Sequence, residues 1–210
     1  MNVVTDAEFY TACDNLTKKD PVLATAFALY RYPPRWTRPC IFTTLLRIIL
    51  EQQVSLASAK AAYDKVLAHT GTLTATTLLL LTDEELKACY FSRQKIKSAR
   101  ALALAVTSGE LSFGSLPALP DDEVRMMLKK IHGIGDWSAD VFLLFALQRG
   151  DIFPAGDIAL RRSVAEVYGL PALPRVPEVL ALAESWRPFR SAAAMLLWHF
   201  YLGSRNRQVV

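Results

Sequence analysis

Apolar residues recur along this chain at helical spacing. Val124, Met127, Leu128 and Ile131 fall at i, i+3, i+4 and i+7, one face of a helix. Gly133 and Gly135 interrupt that face, with Ile134 as a single apolar residue between them. Trp137, Val141, Leu144 and Phe145 then resume helical spacing from Asp136 onward. This stretch predicts a helix, a tight glycine turn and a second helix. The two glycines permit positive φ and a close backbone approach. The free N–H groups of the second helix point out of the turn, the geometry that binds phosphate.

The rest of the pattern is also helical. Thr5 to Glu8 and Thr82 to Glu85 have the spacing of capping boxes. Asp20-Pro21 reads as an N-cap followed by proline at the first helical position. Residues 32–39 are a proline-rich loop, and Ile41 to Gln53 is apolar enough for a buried helix. Ser55 caps a helix reaching about Ala68, and Gly71-Thr72 breaks the chain before a helix over Leu73 to Leu81. Ser92 to Val106 is amphipathic, with Arg93, Lys95, Lys97 and Arg100 on or near its polar side. Residues 109–120 form a Gly/Pro/Ser loop, and Asp121 opens the first hairpin helix. Three more helices are predicted over Asp157 to Tyr168, Pro177 to Trp186 and Pro188 to Gly203. No convincing alternating strand, internal repeat or low-complexity segment appears, so the expected fold class is all-α.

With 52% hydrophobic residues, 210 positions suffice for one good core or for two small lobes. A net charge of +4 and a pI of about 9.0 suit a nucleic-acid partner without requiring one. Cys13, Cys40 and Cys89 are far apart and suggest neither a disulfide framework nor a zinc site. Acidic residues at 6, 8 and 14 interrupt the N-terminus, so no signal peptide is expected. The apolar runs are too short for a membrane span.

Asp157 follows Gly156 at the start of a predicted helix, where an aspartate is ordinarily an N-cap. Its setting points further. The stretch Ile131-His-Gly-Ile-Gly-Asp-Trp-Ser-Ala139 resembles the helix-hairpin-helix of DNA base-excision glycosylases, and Phe153-Pro-Ala-Gly-Asp157 resembles the loop and aspartate completing that signature. Trp137, together with Trp186-Arg-Pro-Phe-Arg-Ser191 and Leu197-Trp198, is similar to the 3-methyladenine DNA glycosylase II branch. The resemblance runs from about Ile41 to Trp198 and implies two helical lobes flanking a cleft. Residues 41–148 would form a helical barrel containing the hairpin at about 121–148. Residues 1–40 with 149–210 would form the second lobe, with Asp157 at the mouth of the cleft.

The resemblance implies that Asp157 is catalytic. A carboxylate beside C1′ stabilises the oxocarbenium-like transition state of N-glycosidic cleavage and orients or deprotonates water. A cationic alkylated base leaves without acid catalysis, so one carboxylate suffices; Asp140 and Asp151 are expected to be solvated or capping residues. Family members that also cut the backbone carry a Schiff-base lysine where this chain has Trp137. The resemblance therefore implies base release without lyase chemistry. Trp137 and Trp198 would form the base pocket, as π faces that favour a cationic ring; core packing is the ordinary reading of both. The branch often has an aromatic where Val141 stands.

DNA contacts are expected from Gly133, Ile134, Gly135 and Ser138 in the hairpin. Gln53 matches the residue that fills the space left by an extruded base, though close relatives can use leucine there; otherwise it is a surface amide at a helix end. Asp136 is expected to repel a phosphate bound there. In the family, carbonyls at the positions of Lys129, His132 and Gly135 bridge Na⁺ or K⁺ to a phosphate. No other cofactor is required. No cysteine follows Cys89, so the iron–sulfur cluster of some relatives is not expected.

The expected function is therefore a monofunctional DNA glycosylase acting by base flipping on alkylated bases of the 3-methyladenine and 7-methylguanine type. The expected partner is double-stranded DNA, with no membrane association. The chain should be a monomer, cytoplasmic and nucleoid-associated in a prokaryote or nuclear in a eukaryote. The alternatives are a glycosylase for uracil or another neutral lesion, a non-catalytic helix-hairpin-helix DNA-binding protein and a structural helical interaction protein.

Overall fold

A computed structural model of the chain describes residues 4–206; the expected lobe ends at 1–3 and 207–210 lie outside them. The described residues are helical and contain no strand. In chain order the α-helices are α1 (Asp6–Lys19), α2 (Pro21–Tyr30), α3 (Phe42–Glu51), α4 (Leu56–Thr70), α5 (Ala75–Leu80), α6 (Asp83–Ala88) and α7 (Arg93–Thr107). They continue with α8 (Asp121–Lys129), α9 (Asp136–Phe145), α10 (Ile158–Val167), α11 (Val176–Ala183) and α12 (Arg190–Gly203). Among the described residues no helix is long and apolar enough to cross a membrane. The chain divides into two compact units, one spanning 38–147 and the other joining 4–37 to 148–206.

The 38–147 unit is built on α3. Leu45, Leu46, Ile48, Ile49 and Leu50 are all fully buried. Thr43, Arg47 and Glu51, at i, i+4 and i+8, form one half-buried polar stripe, and α4, α7 and α9 pack on the helix. Helix α7 contributes Ile96, Ala99, Leu102 and Ala103 on one buried face. Two of the four basic residues expected on its polar side are taken by the fold. Lys95 Nζ donates to the Leu50 carbonyl at the end of α3, and burial lowers its pKa. Arg100 binds the Asp83 carboxylate and the Leu81 carbonyl.

The second unit is built on α12, whose residues from Ser191 to Leu197 are all buried. Helices α1, α2 and α10 pack on it. Asp20 joins three parts of this unit. One carboxylate oxygen accepts from the backbone of Val22 and Leu23, at 2.9 and 3.2 Å, and so caps α2. The other accepts from Tyr168 Oη and from Trp186 Nε1, the latter at 3.0 Å. Trp186, 1% exposed, is a core residue whose ring meets Phe153 at a tilt, 5.1 Å between centroids.

Both capping boxes form as the spacing predicts. Several ends shift for local reasons. The Thr74 side chain accepts from the Thr77 backbone, so α5 opens at Ala75 rather than Leu73. Phe189 is not helical, so the last helix starts at Arg190 and not at Pro188. Helix α3 stops at Glu51 because Gln52 is non-helical and Gln53 turns left-handed, with φ 57°.

Burial pushes the Asp20 carboxyl up, but hydrogen bonds from Tyr168, Trp186, Leu23 and Val22 outweigh it and hold the group below the ordinary carboxylate range. Its folded pKa is thus the lower one. The stability it contributes is present above about pH 4 and is lost as pH falls through the folded value. Asp20→Ala should cost about 2–4 kcal/mol at pH 7, from the lost cap and the stranded donors. The deficit should shrink as pH falls below about 4. Urea melts of both proteins at several pH values check this.

Candidate functional site

Asp157 is the N-cap of α10. Its Oδ1 accepts from the backbone of Ala159 at 2.8 Å and of Leu160 at 3.0 Å. Trp198 Nε1 on α12 donates to the same oxygen at 3.2 Å. Three donors converging on one oxygen hold the carboxyl in a set orientation. The loop leading to Asp157 is held just as firmly. Arg190 grips the Asp151 carboxylate with two bonds, Nε to Oδ1 at 2.7 Å and Nη2 to Oδ2 at 3.0 Å. Ser191 Oγ accepts from the Ile152 backbone at 2.9 Å and donates to the Arg149 carbonyl. The start of α12 therefore fixes residues 149–152, and further along the same helix Trp198 meets Asp157.

The hairpin lies in the 38–147 unit. Helix α8 ends at Lys129, the chain turns through Gly133 at φ 86°, and α9 opens with Gly135 as its N-cap. Gly133 is required twice. Its φ is left-handed, and a Cβ there would stand 1.9 Å from Ser98 Oγ and 2.7 Å from Ser98 Cβ on α7. Gly135 differs: a Cβ there meets nothing within 4 Å. Gly135 gives α9 no side-chain cap, and the first bond of that helix runs from Ala139 N to Gly135 O at 3.0 Å. The first-turn N–H groups therefore face out of the helix end, where an anion is favoured. Lys129 forms an ion pair with Asp136 and offsets the charge expected to repel a phosphate.

Asp157 and Trp198 meet within one unit; Gln53, Gly133, Ile134, Gly135, Trp137 and Ser138 belong to the other. Ile134 is 5% exposed and Ser138 2%, so both are core residues, and the Ile134 N–H donates to the Ile131 carbonyl at 3.1 Å, against the DNA contact expected of it. Trp137 stands half-buried in the first turn of α9. Of the expected cation ligands, Lys129 closes α8, His132 is exposed in the turn and Gly135 starts α9. Gln53 is exposed at the left-handed turn between α3 and α4.

Asp140 and Asp151 are not simply solvated or capping residues. Asp140 Oδ1 accepts from Arg125 Nε at 2.8 Å, tying α9 to α8, and Asp151 holds Arg190 and Arg187. Their partners come from neighbouring elements, which spacing along the chain does not display. Two further residues escape the sequence pattern. Gln52 Nε2 donates to the Gly133 carbonyl at 2.9 Å and to Ser138 Oγ at 2.8 Å. Ser98 is the small residue that lets Gly133 approach α7, and its place between Ile96 and Ala99 on a buried face is the one signal available for it.

A glycine-turned helical hairpin with an uncapped second helix, in an all-helical chain, defines a helix-hairpin-helix protein. Residues 46–188 match the HhH-GPD superfamily of base excision DNA repair proteins, and the chain belongs to that superfamily. It is 32% identical over 161 residues to DNA-3-methyladenine glycosylase 1 of Schizosaccharomyces pombe, covering 75% of this chain and 71% of that one. With the DNA-3-methyladenine glycosylase of Saccharomyces cerevisiae it shares 26% identity over 178 residues, 77% of this chain but 60% of the yeast protein. The solved structure of Schizosaccharomyces pombe 3-methyladenine DNA glycosylase in complex with abasic DNA superposes with a TM-score of 0.80. That match has 29% identity and covers 91% of this chain and 95% of that one.

The two hairpin glycines should respond differently to a methyl group. Gly133→Ala combines a left-handed alanine with a clash against Ser98 and should destabilise the fold by about 2–5 kcal/mol. Gly135→Ala meets open space at ordinary φ and should stay within about 1 kcal/mol of the parent. Denaturant melts of the two variants side by side test the assignment; equal losses would refute it.

Proposed function

We propose that this chain is a DNA glycosylase that hydrolyses the N-glycosidic bond of alkylated bases, of the 3-methyladenine and 7-methylguanine type, in duplex DNA. The carrying observation is the Asp157 carboxylate, oriented by two backbone N–H groups and the Trp198 indole. Membership of a base excision repair family and likeness to 3-methyladenine glycosylases support the same reading.

Asp157 faces the sugar as positive charge builds at C1′ and lowers the energy of that state. It then orients the water that attacks C1′ and takes its proton. The base departs neutral, because an alkylated purine starts as a cation, and no second acid is needed. The strand keeps its phosphodiesters and gains an abasic site. Trp137 supplies a π face for the cationic base, worth about 0.5–2 kcal/mol over a neutral one. It has no amine, so it cannot form the Schiff base that lyase chemistry needs.

The base must leave the stack first, at a cost of a few kcal/mol. In this reading Gln53 offsets part of that cost by entering the vacated space. The backbone N–H groups of Gly133 and of the opening of α9 hold a phosphate, that of Ile134 being bonded to the Ile131 carbonyl. Na⁺ or K⁺ on the carbonyls of Lys129, His132 and Gly135 would add a positive charge there. Of these carbonyls, that of Lys129 closes α8, where the last carbonyls lack intrahelical partners, whereas that of Gly135 also accepts from Ala139 N at 3.0 Å.

Asp157→Asn tests the catalytic assignment. Asparagine still caps a helix, so the fold and DNA affinity should persist. Single-turnover base release should fall about 10²–10³-fold, the loss of one transition-state stabiliser. Turnover near that of the parent would remove Asp157 from catalysis.

The absence of lyase chemistry has its own test. An alkylated duplex is incubated with the protein, and half the sample is treated with hot alkali. Strand breaks should appear in the alkali-treated half only. Breaks in the untreated half, or a borohydride-trapped adduct, would show that some amine of this chain opens the sugar.

A further inference from the structure

Gln52 sits at the end of α3, beside Gln53 and across from the hairpin. Its amide spans two elements of the 38–147 unit. Nε2 donates to the carbonyl of Gly133, the turn residue, and to the hydroxyl of Ser138 in the first turn of α9. A backbone carbonyl can only accept, so it dictates which end of the amide points inward. Ser138 is 2% exposed and Gln52 half-buried, so this contact is partly shielded from water. On the other side of Gln52, Lys95 Nζ holds the carbonyl of Leu50. The next residue, Gln53, is left-handed at φ 57°, a conformation that strains a non-glycine residue and needs support from its surroundings.

We infer that Gln52 is a positioning residue that makes the exposed turn at Gln53 and the phosphate-facing hairpin one rigid piece, so that backbone contact at the hairpin sets where Gln53 enters the duplex. The inference rests on the proposed role of Gln53. It assigns Gln52 no contact with DNA. The amide reads the position of Gly133 and Ser138 and passes it to its neighbour through one peptide bond. Glutamate cannot replace it, because a carboxylate would face the Gly133 carbonyl with no donor between them.

The test compares affinity for a duplex bearing a tetrahydrofuran abasic analogue with affinity for the undamaged duplex. This ratio needs no catalysis. The parent should prefer the abasic analogue. Gln52→Met and Gln52→Glu should each lower that preference by at least about fivefold, and Gln53→Ala should do the same. The decisive protein is the double variant Gln52→Met/Gln53→Ala. If Gln52 acts through Gln53, its preference should be no lower than that of either single variant. Losses that multiply, or a Gln52→Met preference within about twofold of the parent, would overturn the inference. General loosening of the fold would lower both affinities together and leave the ratio unchanged, which also counts against it. Should Gln52→Met fail to fold by circular dichroism, Ser138→Ala decides in its place. It deletes one acceptor, leaves the Gly133 bond, and should give a smaller loss in the same direction; no loss refutes the proposal. A parent that prefers the abasic analogue yet releases no alkylated base would refute the proposed reaction while leaving this inference standing. A parent with no preference would overturn the inference itself.

Discussion

The backbone of Gly133 presses against Ser98 so closely that no side chain fits between them. Much of the 38–147 unit follows from that contact. Helix α7 must present a small residue there, and the turn must adopt a left-handed conformation open to glycine at little cost. With the turn seated on α7, its carbonyl lies within reach of Gln52 and the first turn of α9 is carried with it. Ile131 and Ile134 are buried on either side of the glycine and keep the turn from lifting away. The outward direction of the α9 N–H groups is thus a consequence of core packing.

Asp157 shows why capping and catalysis are compatible readings of one residue. A cap must accept from N–H groups two and three residues ahead, which fixes the side chain relative to the helix axis. The Trp198 indole adds a donor from another helix. A carboxylate oriented before substrate arrives loses little on reaching the transition state, the general advantage of preorganised charge. The price is paid by Arg190 and Ser191, whose bonds to residues 149–152 deliver the loop to that spot. These are contacts between elements 39 to 42 residues apart along the chain.

This difference of scale explains what could be read in advance. Capping boxes, the glycine turn and the buried α3 are local patterns, governed by neighbours within one helical turn, and they stand as the spacing predicts. The position of Asp157 at the head of a helix was legible for the same reason. The Trp198 donor, the Gln52 amide and the grip of Arg190 on Asp151 were not, because each joins elements whose approach no periodicity encodes. Trp198 was legible as an aromatic surface, but not as a hydrogen-bond donor; which use prevails depends on where α12 stands against α10. Helix ends shifted wherever a side chain took a backbone group, as Thr74 does, a choice settled by a single hydroxyl.

Gln53 concentrates the remaining question of stability against function. Glycine would hold its left-handed backbone without strain, and the chain carries glutamine there instead. An exposed glutamine adds no core packing to offset the strain. The bonds that oppose it lie on its neighbours, at Leu50 through Lys95 and at Gln52 through the hairpin. Backbone strain held in place by surrounding bonds, at a residue whose own side chain is exposed, suits the role proposed for Gln53. A long amide fits that role physically. It can enter the space left by a base and hydrogen-bond to what remains there, whereas glycine would relax the turn and leave the space empty.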